Sequence, residues 1–160
     1  MAFPAWLGAF LASFVVGSLA EYWGHRVMHV WFKRARHVEH HQNAESHGFL
    51  RELWGYLRGS WPLLLLGFAI SKQAGIGFAV GGVAYAGFAA YAHELQHAHP
   101  ECCFWMSRPL HALHHSEALW YQNFGITCDV WDRLFGTYRR SDYQHGAARR
   151  WGNLFRIKWR

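Results

Sequence analysis

From Phe3 to Ala20 the chain runs eighteen residues without a charged side chain, interrupted only by Pro4, glycines and serines. A helix over that stretch rises about 27 Å, close to the hydrocarbon thickness of a bilayer. No basic residue precedes it, and the helical pattern continues into "EYWGHRVMHVW" without a cleavage-like polar break. The expectation is a retained transmembrane helix that extends past the membrane, not a signal peptide.

Two further apolar runs follow. Phe49 to Ile70 opens with "FLRELWGYLRGS", where Arg51, Glu52 and Arg58 suit an amphipathic turn at the membrane interface, then enters "WPLLLLGFAI" with Pro62 at a helix start or kink. It either spans when tilted or forms a re-entrant piece. After the link "SKQAG", Gly75 to Ala92 is the third run, with Gly77 and Gly81 at the small-xxx-small spacing that permits close helix contact in lipid. From His93 onward the chain is polar, basic and histidine-rich.

These features predict an all-α integral membrane protein. Residues 1–160 form a single domain of about three transmembrane helices with a histidine-rich helical cap. Three crossings bring the stretches 25–41 and 93–115 to the same face. The basic residues of "KRAR" (33–36) and of the tail from Arg149 to Arg160 fall on that face too, leaving only Lys72 opposite. The excess of positive charge makes that face cytoplasmic. The net charge of +6, beside such runs, points to an anionic membrane surface. Nothing resembles a nucleic-acid-binding motif.

Ten of the thirteen histidines fall in four groups: His25 and His29 in "HRVMH"; His37, His40 and His41 in "HVEHH"; His93 and His97 in "HELQH"; His111, His114 and His115 in "HALHH". The order is pair, triplet, pair, triplet, with one spacing shared by the pairs and another by the triplets. Offsets of three and four put side chains on one helical face, and neutral imidazole is a strong ligand for iron, zinc or copper. Ten ligands exceed the five or so that fill one ion, so two ions sharing a site fit the count. Glu39, Glu94 and Glu117 lie nearby at irregular offsets and are read as surface or supporting groups. A centre of nitrogen donors alone differs from the carboxylate-rich di-iron bundles.

The four boxes, together with "NFGITCDVWDRLFGTYR" from Asn123 to Arg139, resemble the membrane-bound fatty acid hydroxylase superfamily. That superfamily includes sterol desaturases, fatty acid 2-hydroxylases and carotenoid hydroxylases. The resemblance covers roughly Glu21 to Arg139. It implies that His25, His29, His37, His40, His41, His93, His97, His111, His114 and His115 hold two iron ions, with zinc as a substitute on overexpression. It further implies O2 as co-substrate and oxidation of an unactivated C–H bond in a membrane lipid such as a fatty acyl chain, sterol or carotenoid. Hydroxylation and desaturation both remain open. Electrons would come from a separate donor, a ferredoxin, cytochrome b5 or a reductase, because no fused heme motif is present.

Two rival readings of the histidines remain open. His93, Glu94 and His97 match the H-E-x-x-H pattern of a membrane zinc hydrolase, although such a site needs none of the other boxes. A metal carrier would place its ligands within the spans. Asn123 is a candidate to bond a ligand or metal-bound water, or simply a turn residue. Asp132 is a candidate to orient a ligand imidazole, or a helix cap. His47, His99 and His145 belong to no group and are read as interfacial or surface side chains. Cys102, Cys103 and Cys128 form no CxxC pair and are read as packing residues.

Overall fold

The computed structural model describes residues 4–32, 35–43, 45–116, 119–141 and 150–160. Every regular element among them is helical. The main helices are α1 (Ala5–Val27), α2 (Ala35–Asn43), α3 (Phe49–Ser60), α4 (Lys72–Ala98), α5 (Leu110–Ser116) and α6 (Val130–Leu134). A π-helical turn over Met28–Phe32 extends α1, and 3-10 segments cover Leu63–Ala69, Pro100–Cys102 and Trp151–Phe155.

Helices α1 and α4 form the spine. With its π extension α1 reaches Trp31, and each of the two is long and apolar enough to cross a membrane. They lie side by side and parallel. A Cβ on Gly77 would strike the backbone of Trp6, and one on Gly81 would meet Ser13 and the backbone of Phe10, so glycine sets how closely the two backbones approach. Higher up, the Tyr85 hydroxyl donates to Glu21 at 2.6 Å. Their outward faces carry exposed apolar side chains, Leu11 and Val15 on α1 and Ile76, Val80 and Val83 on α4. A row of this kind suits lipid better than water.

Two parallel helices joined by one chain require a return passage, and residues 49–70 supply it. Gly48, just before α3, donates its N–H to Glu94 near the top of α4. Farther along, Leu64 lies against Gly82 and Gly67 against Ala74 and Phe78, near the bottom of α4. The passage is therefore antiparallel to α4. Twelve α-helical and seven 3-10 residues together rise about 32 Å. The sequence allowed a single tilted helix here, but the structure divides the segment at Trp61-Pro62. Proline has no N–H to give and clashes with the preceding turn, so α3 stops at Ser60, whose Oγ bonds back to the Tyr56 carbonyl.

The opposite end is closed by the tail. Lys158 and Trp159 carbonyls accept from the Phe49 and Leu50 amides, the first-turn N–H groups that α3 cannot satisfy itself. Leu95, Cys102 and Ile157 form a small core there, with Phe49, Tyr91, Trp105 and Leu154 packed against it. Cys102 and Cys103 are buried and Cys128 is half-buried, as packing residues would be.

Candidate metal centre

All ten boxed histidines converge at the upper ends of α1 and α4. They separate into two sets. In the first, His25, His29, His41 and His114 bring ligand nitrogens within 4.8 Å of one another. His37 joins them, its Nε2 lying 2.7 Å from His29 Nε2 and 3.2 Å from His41 Nε2. In the second, His40, His97, His111 and His115 meet the same 4.8 Å limit. His93 packs onto that set, its ring 4.4 Å from His111 and 4.7 Å from His97. The two sets share a wall, where His41 and His115 stack with centroids 3.9 Å apart.

Helix geometry explains the division. The pair on α1 goes wholly to the first set and the pair on α4 wholly to the second. Each triplet is split. In α2 the i,i+4 pair His37 and His41 faces the first set and His40 turns to the second. In α5 the i,i+4 pair His111 and His115 faces the second set and His114 turns to the first. One residue at an offset of three or one from its neighbours lies on the adjacent helical face, so a triplet on a helix between two sites serves both. The π turn begins one residue before His29, where a widened helix commonly marks a site.

The donor set fits a cation. His25 Nδ1 lies 2.7 Å from the Phe124 carbonyl, and His114 Nδ1 lies 2.8 Å from that of Leu119 and 2.7 Å from that of Gln122. A carbonyl accepts only, so these Nδ1 atoms carry the proton and each Nε2 offers a lone pair. The Nε2 atoms of His25, His37 and His114 lie 3.2, 2.7 and 3.1 Å from His29 Nε2. A single imidazole proton can serve one of them. Nitrogens bound to one ion at about 2.1 Å sit about 3.0 to 3.4 Å apart, the range into which the His25 and His114 separations fall. In the second set His97 Nε2 is 3.1 Å from His111 Nε2, while His40 Nε2 and both nitrogens of His115 are buried without a hydrogen-bond partner.

For the imidazoles of α2 and α5, protonation does not compete at neutral pH. Burial holds the His40 and His114 imidazoles down to about 4 and that of His37 to about 2. Burial and then neighbouring imidazoles also lower His41, His111 and His115. The neutral form is the one that binds metal.

The sequence left Asn123 open between a ligand partner and a turn residue, and Asp132 between orienting an imidazole and capping a helix. Asp132 touches no imidazole. Its buried carboxylate accepts from the Phe124 N–H at 2.8 Å, the Gly125 N–H at 2.7 Å and the Thr137 hydroxyl at 2.7 Å. It acts one step behind His25, by fixing the loop whose Phe124 carbonyl receives the His25 proton. Asn123 does not bond a ligand either. It sits in the left-handed region at φ 56 and pairs with the Arg139 backbone through both ends of its amide, which is the turn role. Glu21, one turn before His25, anchors the same loop by accepting from the Ile126 and Thr127 amides.

Among the remaining candidates, Glu39 is exposed. His47 touches only the rim, 5.4 Å from the His40 ring, and His99 pairs with Glu101 at 3.4 Å. Glu117, His145, Lys33, Arg34 and Arg149 lie outside the described residues. His97 of the "HELQH" pattern is joined by three histidines from α2 and α5, which a hydrolase site would not require, and Glu94 is engaged by Gly48.

Two contributors escaped the sequence. Glu52 on α3 lies 3.9 Å from His93 Nδ1. Trp120 packs 5.4 Å from the His41 ring. An acidic residue on the first turn of a helix that follows a histidine box was the only available signal for Glu52. For Trp120 there was none beyond its closeness to "HALHH".

A family model described as fatty acid hydroxylase matches residues 10–137. No curated protein and no solved structure matches the chain.

Proposed function

The chain belongs to the fatty acid hydroxylase family, and on that premise we propose that it is a membrane-bound, O2-dependent di-iron enzyme that hydroxylates or desaturates a lipid. The observation that carries this reading is two sets of four histidines within ligand reach of one another, with His37 packed against the first and His93 against the second, sharing the His41–His115 wall. His25, His29, His37, His41 and His114 would hold one ion, and His40, His93, His97, His111 and His115 the other. Two irons supply, when bound, the reductive activation of O2 that an unactivated C–H bond demands, with two electrons from a separate donor such as a ferredoxin, cytochrome b5 or a reductase.

The chain's own residues contribute placement. Phe124, Leu119, Gln122 and Glu45 carbonyls hold the His25, His114 and His40 rings in one tautomer, with Nε2 inward. Buried Phe124 and half-buried Trp120 wall the first set with apolar surface that excludes water. Placement of the site at the end of two lipid-suited helices favours a substrate that arrives from the bilayer: a fatty acyl chain, a sterol or a carotenoid.

Metal analysis of the purified chain tests the centre. About two ions per chain are expected, with zinc replacing iron in overexpressed material. A fully loaded sample holding clearly fewer than one ion would end the two-metal reading. The orientation is tested separately. If α1, residues 49–70 and α4 make three crossings with the centre on the cytoplasmic side, a cysteine at Lys72 and one at the C-terminus label from opposite sides. Labelling from one side refutes that topology.

A further inference from the structure

We propose that Glu52 and Glu94 supply the negative charge that the second histidine set lacks, and that they set the affinity of the ion bound there. The inference rests on the reading of that set as a metal site. Imidazole binds metal as the neutral ring, so five such ligands would bring no charge, and a divalent ion among them would leave two positive charges in a buried place, where an uncompensated charge is costly. Glu52 Oε1 and Glu94 Oε1 each lie 3.9 Å from His93 Nδ1, and the three side chains are 19%, 0% and 6% exposed. That distance is too long for a hydrogen bond and short enough for a strong charge interaction.

What singles out this pair is how incompletely it is paired. Glu21 and Asp132 are also buried carboxylates, but their oxygens are filled. Glu21 accepts from Tyr85, Ile126 and Thr127, and Asp132 from Phe124, Gly125 and Thr137. Glu94 Oε2 and His93 Nδ1, in contrast, are buried with no hydrogen-bond partner. Among the described residues no Lys or Arg pairs with either carboxylate. Two carboxylates around one imidazole, without a Lys or Arg beside them, favour positive charge on that imidazole or beyond it. The second histidine set lies there. A carboxylate behind a ligating histidine also raises the basicity of the ring, which strengthens its bond to the metal. Glu52 is contributed by α3, so the return passage supplies a charge to the centre as well as a connection.

The test separates this role from scaffolding by what happens without metal. Glu52→Gln and Glu94→Gln keep shape while removing charge. In the metal-free full-length protein Glu52→Gln breaks no hydrogen bond among the described residues and its thermal midpoint should stay close to that of the wild type, while Glu94→Gln gives up a charge held beside His93 and by the Gly48 N–H and should lower it modestly. On titration with zinc alone, binding of one of the two ions should weaken 10- to 100-fold. Asp132→Asn, which breaks filled hydrogen bonds, should lower the metal-free midpoint, and Glu39→Gln should change neither quantity. Unchanged zinc affinity in both glutamine variants overturns the proposal. A Glu52→Gln chain whose metal-free midpoint falls as far as its zinc affinity overturns it too, by making that carboxylate ordinary scaffold. A wild-type chain that takes up no zinc fails the metal-site reading itself, whereas two tightly held ions in the glutamine variants fail this inference alone.

Discussion

The two histidine sets are related by exchange: each takes a whole pair from a long helix, an i,i+4 pair from one triplet and the odd member of the other. Behind the rings they differ. The first set is backed by backbone carbonyls, with His25 against Phe124 and His114 against Leu119 and Gln122. Among the described residues the second shows one such contact, His40 to Glu45, with two carboxylates beside His93 and buried nitrogens without hydrogen-bond partners on His111 and His115, where the first set has one at His41 Nδ1. A carbonyl fixes ring orientation without changing net charge, while a carboxylate changes both. Similar ligand geometry thus comes with two kinds of control, one by a loop and the other by charge.

The strongest way to break this comparison is to remove a ligand from each side. His114→Ala should lose the first-set ion and His97→Ala the second, lowering metal content from about two to about one and abolishing lipid oxidation in both cases. His145→Ala, outside every group, should retain both metal and turnover. If His114→Ala kept full turnover, or removed both ions as readily as one, the sets would not be separate.

A smaller effect is expected from the loop. Asp132→Asn loosens the Phe124 carbonyl behind His25 and should weaken metal binding about 10- to 100-fold in the first set, with about 1–3 kcal/mol lost in stability from the broken buried bonds. Paired with Glu52→Gln, it should give complementary patterns in a competition titration. Equal weakening of both ions by either variant would erase the distinction drawn here.

Acid should act on both sets together. His114 in the first and His40 in the second are both held near 4 in the folded chain, against an unfolded value of about 6.5. Between those limits the unfolded chain binds more protons, so metal-free stability is full above about pH 6.5 and falls as pH drops toward 4. Melting curves across that window check the sign, and metal should delay the loss. At the small end, His47→Ala and Glu39→Gln should stay within about 0.5 kcal/mol of the parent, because neither belongs to a set.

The sequence alone determined the helical character of the chain, two of its long apolar helices, the close approach at Gly77 and Gly81, and the ten histidines that converge. These are local properties: bilayer-length apolar runs and offsets of three and four act through the geometry of a single helix. The break at Pro62 was half legible, since proline marks a discontinuity without saying which side continues the passage. Tertiary structure decided the rest. Which member of "HVEHH" turns to which set depends on how α2 is rotated against α1 and α5, and no spacing within one helix encodes that. Asp132 stands within the match to the family, yet its role passes through a backbone carbonyl, an atom that every residue carries and no sequence pattern distinguishes. Glu52 and Glu94 are 42 positions apart and meet at one imidazole only because the return passage runs antiparallel to α4, a pairing set by packing between distant segments.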